Sequence, residues 1–191
     1  MSGEYEKHEA VPDTEPLAIK HFVQDARALE AHAFLARHGD RFLIHQGPLE
    51  PERRVKRPMR TAIMLSDRPR VDPMTLGPPP GPDLLVFPLR QTGRSPYPRI
   101  ITVGRTKNND VVLPDAMISK FHALFKEADG KLLCQDADSR NGSFVDGKRA
   151  PTTKGGKGLE VSAGSRVKFG LLEFWFVSGE ELQHLARRSF P

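Results

Sequence analysis

A single cysteine, Cys134, stands in 191 residues. No internal disulfide is possible, so the fold must be held by its own apolar core, which a chain of this length can supply. Cys134 sits in the apolar run Leu132-Leu133-Cys134 and reads as a buried strand residue. No run of about 20 apolar residues occurs, which excludes a membrane-spanning helix. The opening residues, Met1 to Lys7, are polar and acidic. They lack the basic start and apolar stretch of a secretory signal, so the expected compartment is the cytoplasm. Also missing are a zinc-spaced ligand set, a glycine-rich loop with a phosphate-binding lysine, and a paired-carboxylate constellation. The expectation is a protein that is not an enzyme, with no catalytic residue, no metal and no cofactor.

The formal charge is +5. Residues 1–80 hold 12 basic and 12 acidic side chains, whereas 81–178 hold 15 and 10. The surplus lies in the second region and suits an anionic partner. A basic cluster, Arg53-Arg54-Val55-Lys56-Arg57, has no aromatic interleaving and no recognition-helix pattern behind it. It reads as a solvated face, so nucleic acid is an unfavoured partner, and salt-dependent DNA affinity is what would reinstate it.

Polar residues 1–16 read as a loose tail. Leu17 to Arg37 place Leu17, Ile19, Phe22, Val23, Ala26, Leu29, Ala33 and Phe34 mostly on one helical stripe, closed by Gly39. One long helix is expected there, docking in cis in preference to a partner. Phe42-Leu43-Ile44 and Ala62-Ile63-Met64-Leu65 are short strand candidates, and Gly77 to Pro82 reads as a boundary. The domain division is then a tail over 1–16, an extension over 17–80, a β-rich domain over 81–178, and a last stretch, 179–191, that is a short helix or a tail.

Beyond residue 81, strand signals follow quickly. Asp129-Gly130 and Asp146-Gly147 mark hairpin turns between apolar segments. Many short strands with such turns indicate a sandwich of two antiparallel sheets. Val103, Val112, Leu124, Leu133, Val145, Val167, Phe169 and Phe174 are the expected core.

The loops between these strands carry a particular chemistry. Arg105 follows Gly104 at a strand end, and its planar fork can grip two phosphate oxygens. Gly104 is read as allowing a sharp turn. Ser119 offers a hydroxyl and an N–H, and Lys120 adds a mobile positive charge. His122 lies three residues from Ser119, a spacing that on an extended chain points the two side chains apart, and is read as architectural, not catalytic. Asn141 can bracket the backbone of an extended peptide, with Ser139 and Arg140 beside it and Gly142 completing a turn. Asp138 is a candidate to hold that turn. Asn109 and Asp110 are placed to brace the first loop, and Lys107 to reach an acidic peptide flank.

Taken together, Gly104-Arg105, Asn109-Asp110, Ser119-Lys120-Phe121-His122, Asp136, Ser139-Arg140-Asn141-Gly142-Ser143, Asp146-Gly147 and Phe169-Gly170 closely resemble the forkhead-associated (FHA) domain family over about residues 83–178. The resemblance implies an all-β sandwich of about eleven strands, here with an N-terminal helical extension. It implies apical loops that bind phosphothreonine peptides. Arg105 and Ser119 would contact phosphate, Lys120 and Arg140 would line the rim, and Asn141 would hold the peptide backbone. Gly104, Asn109, His122, Ser139 and Gly142 would support them. Lys120 departs from the arginine common in the family, and Arg140 from the common threonine. The function so implied is a signalling adaptor downstream of a Ser/Thr kinase. Its partner would be a phosphothreonine protein, a kinase or its substrate, with self-association through a tail threonine such as Thr14 also open. The alternative is an adaptor that binds protein surfaces without phosphorylation.

Overall fold

The computed structural model describes residues 16–51, 78 and 80–190. The basic cluster at 53–57, the apolar run at 62–65, Thr14 and most of the tail lie outside the described residues. Twelve strands and three helices make up the rest. The strands are β1 (Leu17–Ala18), β2 (Arg41–Gln46), β3 (Leu84–Pro88), β4 (Ile100–Gly104), β5 (Val111–Val112), β6 (Ala123–Ala128), β7 (Lys131–Asp136), β8 (Ser143–Val145), β9 (Lys148–Arg149), β10 (Leu159–Val161), β11 (Arg166–Phe169) and β12 (Leu172–Ser178). The helices are α1 (Lys20–Ala28), α2 (Ala31–His38) and α3 (Gly179–Ser189).

The strands form two sheets. Seven run in the order β1-β3-β2-β12-β11-β8-β9 and five in the order β10-β7-β6-β4-β5. These strands pair antiparallel throughout, except β4 with β5. Both expected hairpin turns form. Asp129 and Gly130 join β6 to β7 at φ 52° and 71°, and Asp146 and Gly147 join β8 to β9 at φ 49° and 79°. Two successive positive φ values are what a two-residue hairpin turn between twisted strands requires.

Between the sheets lies the main core, with Leu43, Phe87, Val103, Phe125, Cys134, Val167, Phe169 and Phe174 among its members. All eight residues expected in the core are buried. Val112, Leu124 and Leu133, however, are not part of this central cluster. On β6 the residues facing the core are Ala123 and Phe125, and on β7 they are Leu132 and Cys134. The strand period of two puts Leu124 and Leu133 on the other face.

A second apolar layer covers the outer face of the seven-stranded sheet. Phe42 and Ile44 of β2, Leu84 and Val86 of β3 and Val177 of β12 pack there against Ile19, Phe22, Ala26 and Phe34 and against Leu182, Leu185 and Ala186. β2, β3 and β12 are therefore buried on both faces, which is why their sequences are continuous apolar runs.

Two expectations for the ends of the chain change, and a third resolves to one of its two alternatives. In place of a single helix over 17–37, Leu17 and Ala18 form β1 and the rest is two helices, because Leu29 (ψ 144°) and Glu30 (ψ 159°) are extended. The carbonyls freed at that break are taken up by α3: Gln183 Nε2 donates to Ala26 O (3.2 Å) and Leu29 O (2.8 Å), and Arg187 Nε donates to Ala26 O (2.5 Å). Asp25 then links α1 to the end of α2 by bonds from Arg37 and His38, both 2.8 Å. Burial opposes its charge, but these two partners outweigh burial and hold its carboxyl below the usual range. The boundary drawn at residue 81 also gives way, since β2 lies between β3 and β12 in the sheet. Finally, the last stretch is a helix started by a capping box. Ser178 Oγ accepts from Glu181 N (3.2 Å) and Glu181 Oε2 from Ser178 N (2.7 Å).

Candidate functional site

β4 ends at Gly104, and the reason for glycine there is contact, not a turn. A Cβ at this position would lie 2.3 Å from Lys120 O and 2.7 Å from Asn109 Nδ2. Its backbone is pressed against the loop that carries Ser119 and Lys120. Lys120 O is the junction of the two loops, accepting from Asn109 Nδ2 (2.8 Å) and Thr106 Oγ1 (2.9 Å). Asn109 Nδ2 also donates to Thr106 O (2.8 Å). Asp110 is buried, and its carboxylate accepts four bonds of 2.8–2.9 Å from the backbone and hydroxyls of Thr92 and Thr102. Asn109 and Asp110 thus bond to the backbone and hydroxyls on either side of the first loop.

Arg105 leaves this frame into solvent. Its N–H donates to Ser119 O (3.0 Å) and its Nε to Ile118 O (3.2 Å). Among the described residues no carboxylate pairs with its guanidinium.

The loop after β5 is held from both ends. Asp115 is fully buried and accepts from Met117 N (2.8 Å) and Glu50 N (3.0 Å), while Ala116 N donates to Glu50 O (3.3 Å). The segment after β2, far away in sequence, thus anchors this loop. At the other end His122 is buried, and Ser119 N donates to its Nδ1 (3.0 Å). That bond leaves the proton on Nε2, which faces Gly142 O at 3.2 Å. Burial lowers the His122 pKa, against opposing contributions from the Gly142 bond and the Asp136 charge. A neutral ring in one tautomer therefore ties the second loop to the third.

The third loop, 137–142, is organised by Asp136, not by Asp138. Asp136 Oδ1 accepts from Ser139 N (2.8 Å), and Oδ2 accepts from the hydroxyls of Ser139 (2.7 Å) and Ser143 (2.6 Å). Ser139 Oγ in turn accepts from Gly142 N (2.9 Å). Asp138 is exposed, with φ 61°. Ser119 Oγ accepts from Arg140 N (3.1 Å), and Asn141 Nδ2 donates to Met117 O (2.7 Å).

These bonds bring all five expected contact residues to one place. Arg105, Ser119, Lys120, Arg140 and Asn141 line an open cavity of about 240 Å³ whose floor is Ala116, Met117 and Ile118. Three cations, a hydroxyl and a side-chain amide converge there, and neither Arg105, Lys120 nor Arg140 is paired with a carboxylate among the described residues. Such a set can surround a doubly charged, three-acceptor group and one strand of peptide. Sequence reasoning missed Asp115, Thr106 and the carbonyls of Ile118 and Met117. Asp115 had a readable signal, since Pro114-Asp115 opens the loop and an aspartate there readily caps nearby N–H groups.

The two sheets, with a cationic cavity in the loops at one end, define the class: a β-sandwich domain. The FHA domain profile matches residues 101–170, and over that stretch the chain carries an FHA domain. It is 33% identical over 104 residues, 54% of its length, to the ABC transporter ATP-binding/permease protein Rv1747 of Mycobacterium tuberculosis. The solved FHA-2 domain of that transporter is 30% identical, with 47% of this chain and 77% of that one covered and a TM-score of 0.36. The oxoglutarate dehydrogenase inhibitor of Corynebacterium diphtheriae is 34% identical over 79 residues, 41% of this chain. The chain spans 11% of the transporter's length and 50% of the inhibitor's. The yeast Dun1 FHA domain, solved in complex with a doubly phosphorylated (pT) peptide, is 30% identical over 44% of this chain and 62% of that one, with a TM-score of 0.36. No helix among the described residues is long and apolar enough to cross a membrane.

Proposed function

We propose that the apical cavity binds a phosphothreonine-bearing segment of a partner protein, and that the chain acts as a non-catalytic adaptor downstream of a Ser/Thr kinase. One observation carries this reading: Arg105, Ser119, Lys120, Arg140 and Asn141, drawn from three separate loops, line one open cavity with their cations unneutralised. In the proposed complex Arg105 and Ser119 hold the phosphate, Lys120 and Arg140 add charge at the rim, and Asn141 brackets the peptide backbone. The loops are already bonded to one another, so little ordering is left for the ligand to impose. The FHA domain match over residues 101–170 supports threonine as the phosphorylated residue.

The test is a degenerate phosphothreonine library followed by titration of the best sequence in phosphothreonine, phosphoserine and unmodified forms. Saturable binding of the phosphothreonine form, weaker binding of phosphoserine and none of the plain peptide is expected. Equal affinity for the plain and phosphorylated forms would instead establish the phosphorylation-independent adaptor.

A further inference from the structure

Beside the cavity the edge of the seven-stranded sheet carries a row of side chains at matched register. Lys168 of β11 lies opposite Phe144 of β8, and Phe144 lies opposite Arg149 of β9. Directly opposed residues point to the same face, so Lys168 and Arg149 flank the Phe144 ring across two strand spacings, about 10 Å. Lys168 leans inward, its Nζ 5.9 Å from the ring centroid. Arg149 leans toward the cavity: a Cβ on Gly142 would lie 3.5 Å from Arg149 Nε and 3.3 Å from Phe144 Cε2. Gly142 follows Asn141 directly, so the row begins where the cavity rim ends, with Arg140 on the same loop.

Neither cation is neutralised. Glu173, opposite Lys168 on β12, is bonded to Arg166 at 3.1 Å. The Asp146 carboxylate accepts from Arg166 N (2.8 Å) and Ser165 Oγ (3.1 Å). No ion pair of Arg149 or Lys168 is formed among the described residues. Two like charges on either side of one ring repel each other, although Lys168 gains from lying against the ring. An anionic group laid across the ring relieves that repulsion and bonds to both.

We infer that Arg149 and Lys168, with Phe144 between them, form an accessory subsite for an acidic side chain of the same peptide whose phosphothreonine occupies the cavity. The inference rests on the proposed phosphopeptide reading and adds a selectivity that the five cavity residues do not supply.

The experiment uses the full chain and three fluorescent phosphothreonine peptides in an alanine–serine background: one with neutral flanks, one with two glutamates three and four residues before the phosphothreonine, and one with them three and four residues after. At low salt, one of the acidic peptides should bind about fivefold tighter than the neutral one, and about 0.5 M salt should erase most of that gain. The double variant R149Q/K168Q should bind all three with one affinity, within about twofold of the wild type's for the neutral peptide. If the wild type binds the neutral phosphopeptide but gains nothing from either acidic flank, or if the double variant keeps the gain, the subsite is refuted and the cavity assignment stands. If the wild type binds none of the three, the cavity reading and the subsite fall together.

Discussion

The apical rim and the helix-covered face of the seven-stranded sheet are built on opposite principles. At the rim, polar atoms are fixed by other polar atoms: Asp110, Asp115, Asp136 and His122 are buried, and each commits its bonding capacity to backbone or hydroxyl groups of the loops and the strand ends beside them. On the covered face, Phe22, Phe34, Phe42 and Ile44 are buried among α1, α2, α3 and β2. The first arrangement leaves cationic side chains free to meet a ligand. The second leaves nothing free and supplies cohesion. Substitutions in the two regions should therefore separate binding from stability.

The largest effect is expected on the covered face. Phe34→Ala should cost about 3–5 kcal/mol of folding free energy, a large fraction of what a domain of this size has. Chemical denaturation measures it, and phosphopeptide affinity below the transition should be unchanged. A loss of affinity in the folded variant would show that the two regions are coupled. At the rim, Arg105→Ala should weaken phosphopeptide binding by about 2–4 kcal/mol in a calorimetric titration and leave the melting temperature alone. Gly104→Ala should move both quantities, because the added Cβ meets the Lys120 carbonyl at 2.3 Å. It should cost about 1–3 kcal/mol of stability and also weaken binding, by displacing Lys120 and Arg105. If either quantity is unaffected, the close approach is not what demands glycine there.

The contrast also explains what could be read from the sequence. Turn chemistry is local, so Asp129-Gly130, Asp146-Gly147 and the loop motifs around Arg105, Ser119 and Asn141 are visible in the residues alone. The covered face depends on contacts distant in sequence. Nothing at Leu29-Glu30 announces a break, for neither residue is a glycine or proline, and the groups that satisfy the freed carbonyls, Gln183 and Arg187, stand more than 150 residues away. Two signals for this layer are nonetheless present in the chain. The unbroken runs Phe42-Leu43-Ile44 and Phe174-Trp175-Phe176-Val177 mark strands buried on both faces, and hence a covering layer. Ser178-Gly179-Glu180-Glu181 is a helix start of the capping-box type. Leu124 and Leu133 are buried as expected, but away from the central cluster: on a strand whose two faces are both largely covered, hydrophobicity does not tell one face from the other.

The smallest effect is that of pH on the rim's internal bonding. His122 has its pKa lowered by burial from the ordinary 6.5. Between the lowered value and 6.5 the unfolded chain binds a proton that the folded chain does not, so stability is full above that window and declines as pH falls through it. Melting temperatures between pH 8 and 5 should show this decline, and His122→Gln, less stable at pH 8, should show a shallower slope. Parallel slopes would mean that His122 is not the group responsible.

The central claim is that a phosphorylated side chain is held where the three apical loops meet. Amide chemical-shift mapping tests it most directly, by titrating the isotope-labelled full chain with its best phosphothreonine peptide. Saturating shifts are expected at Arg105, at 117–120 and at 139–142, with α1, α2 and α3 unperturbed. Shifts centred on the helices, or none at the three loops at saturation, would contradict the claim.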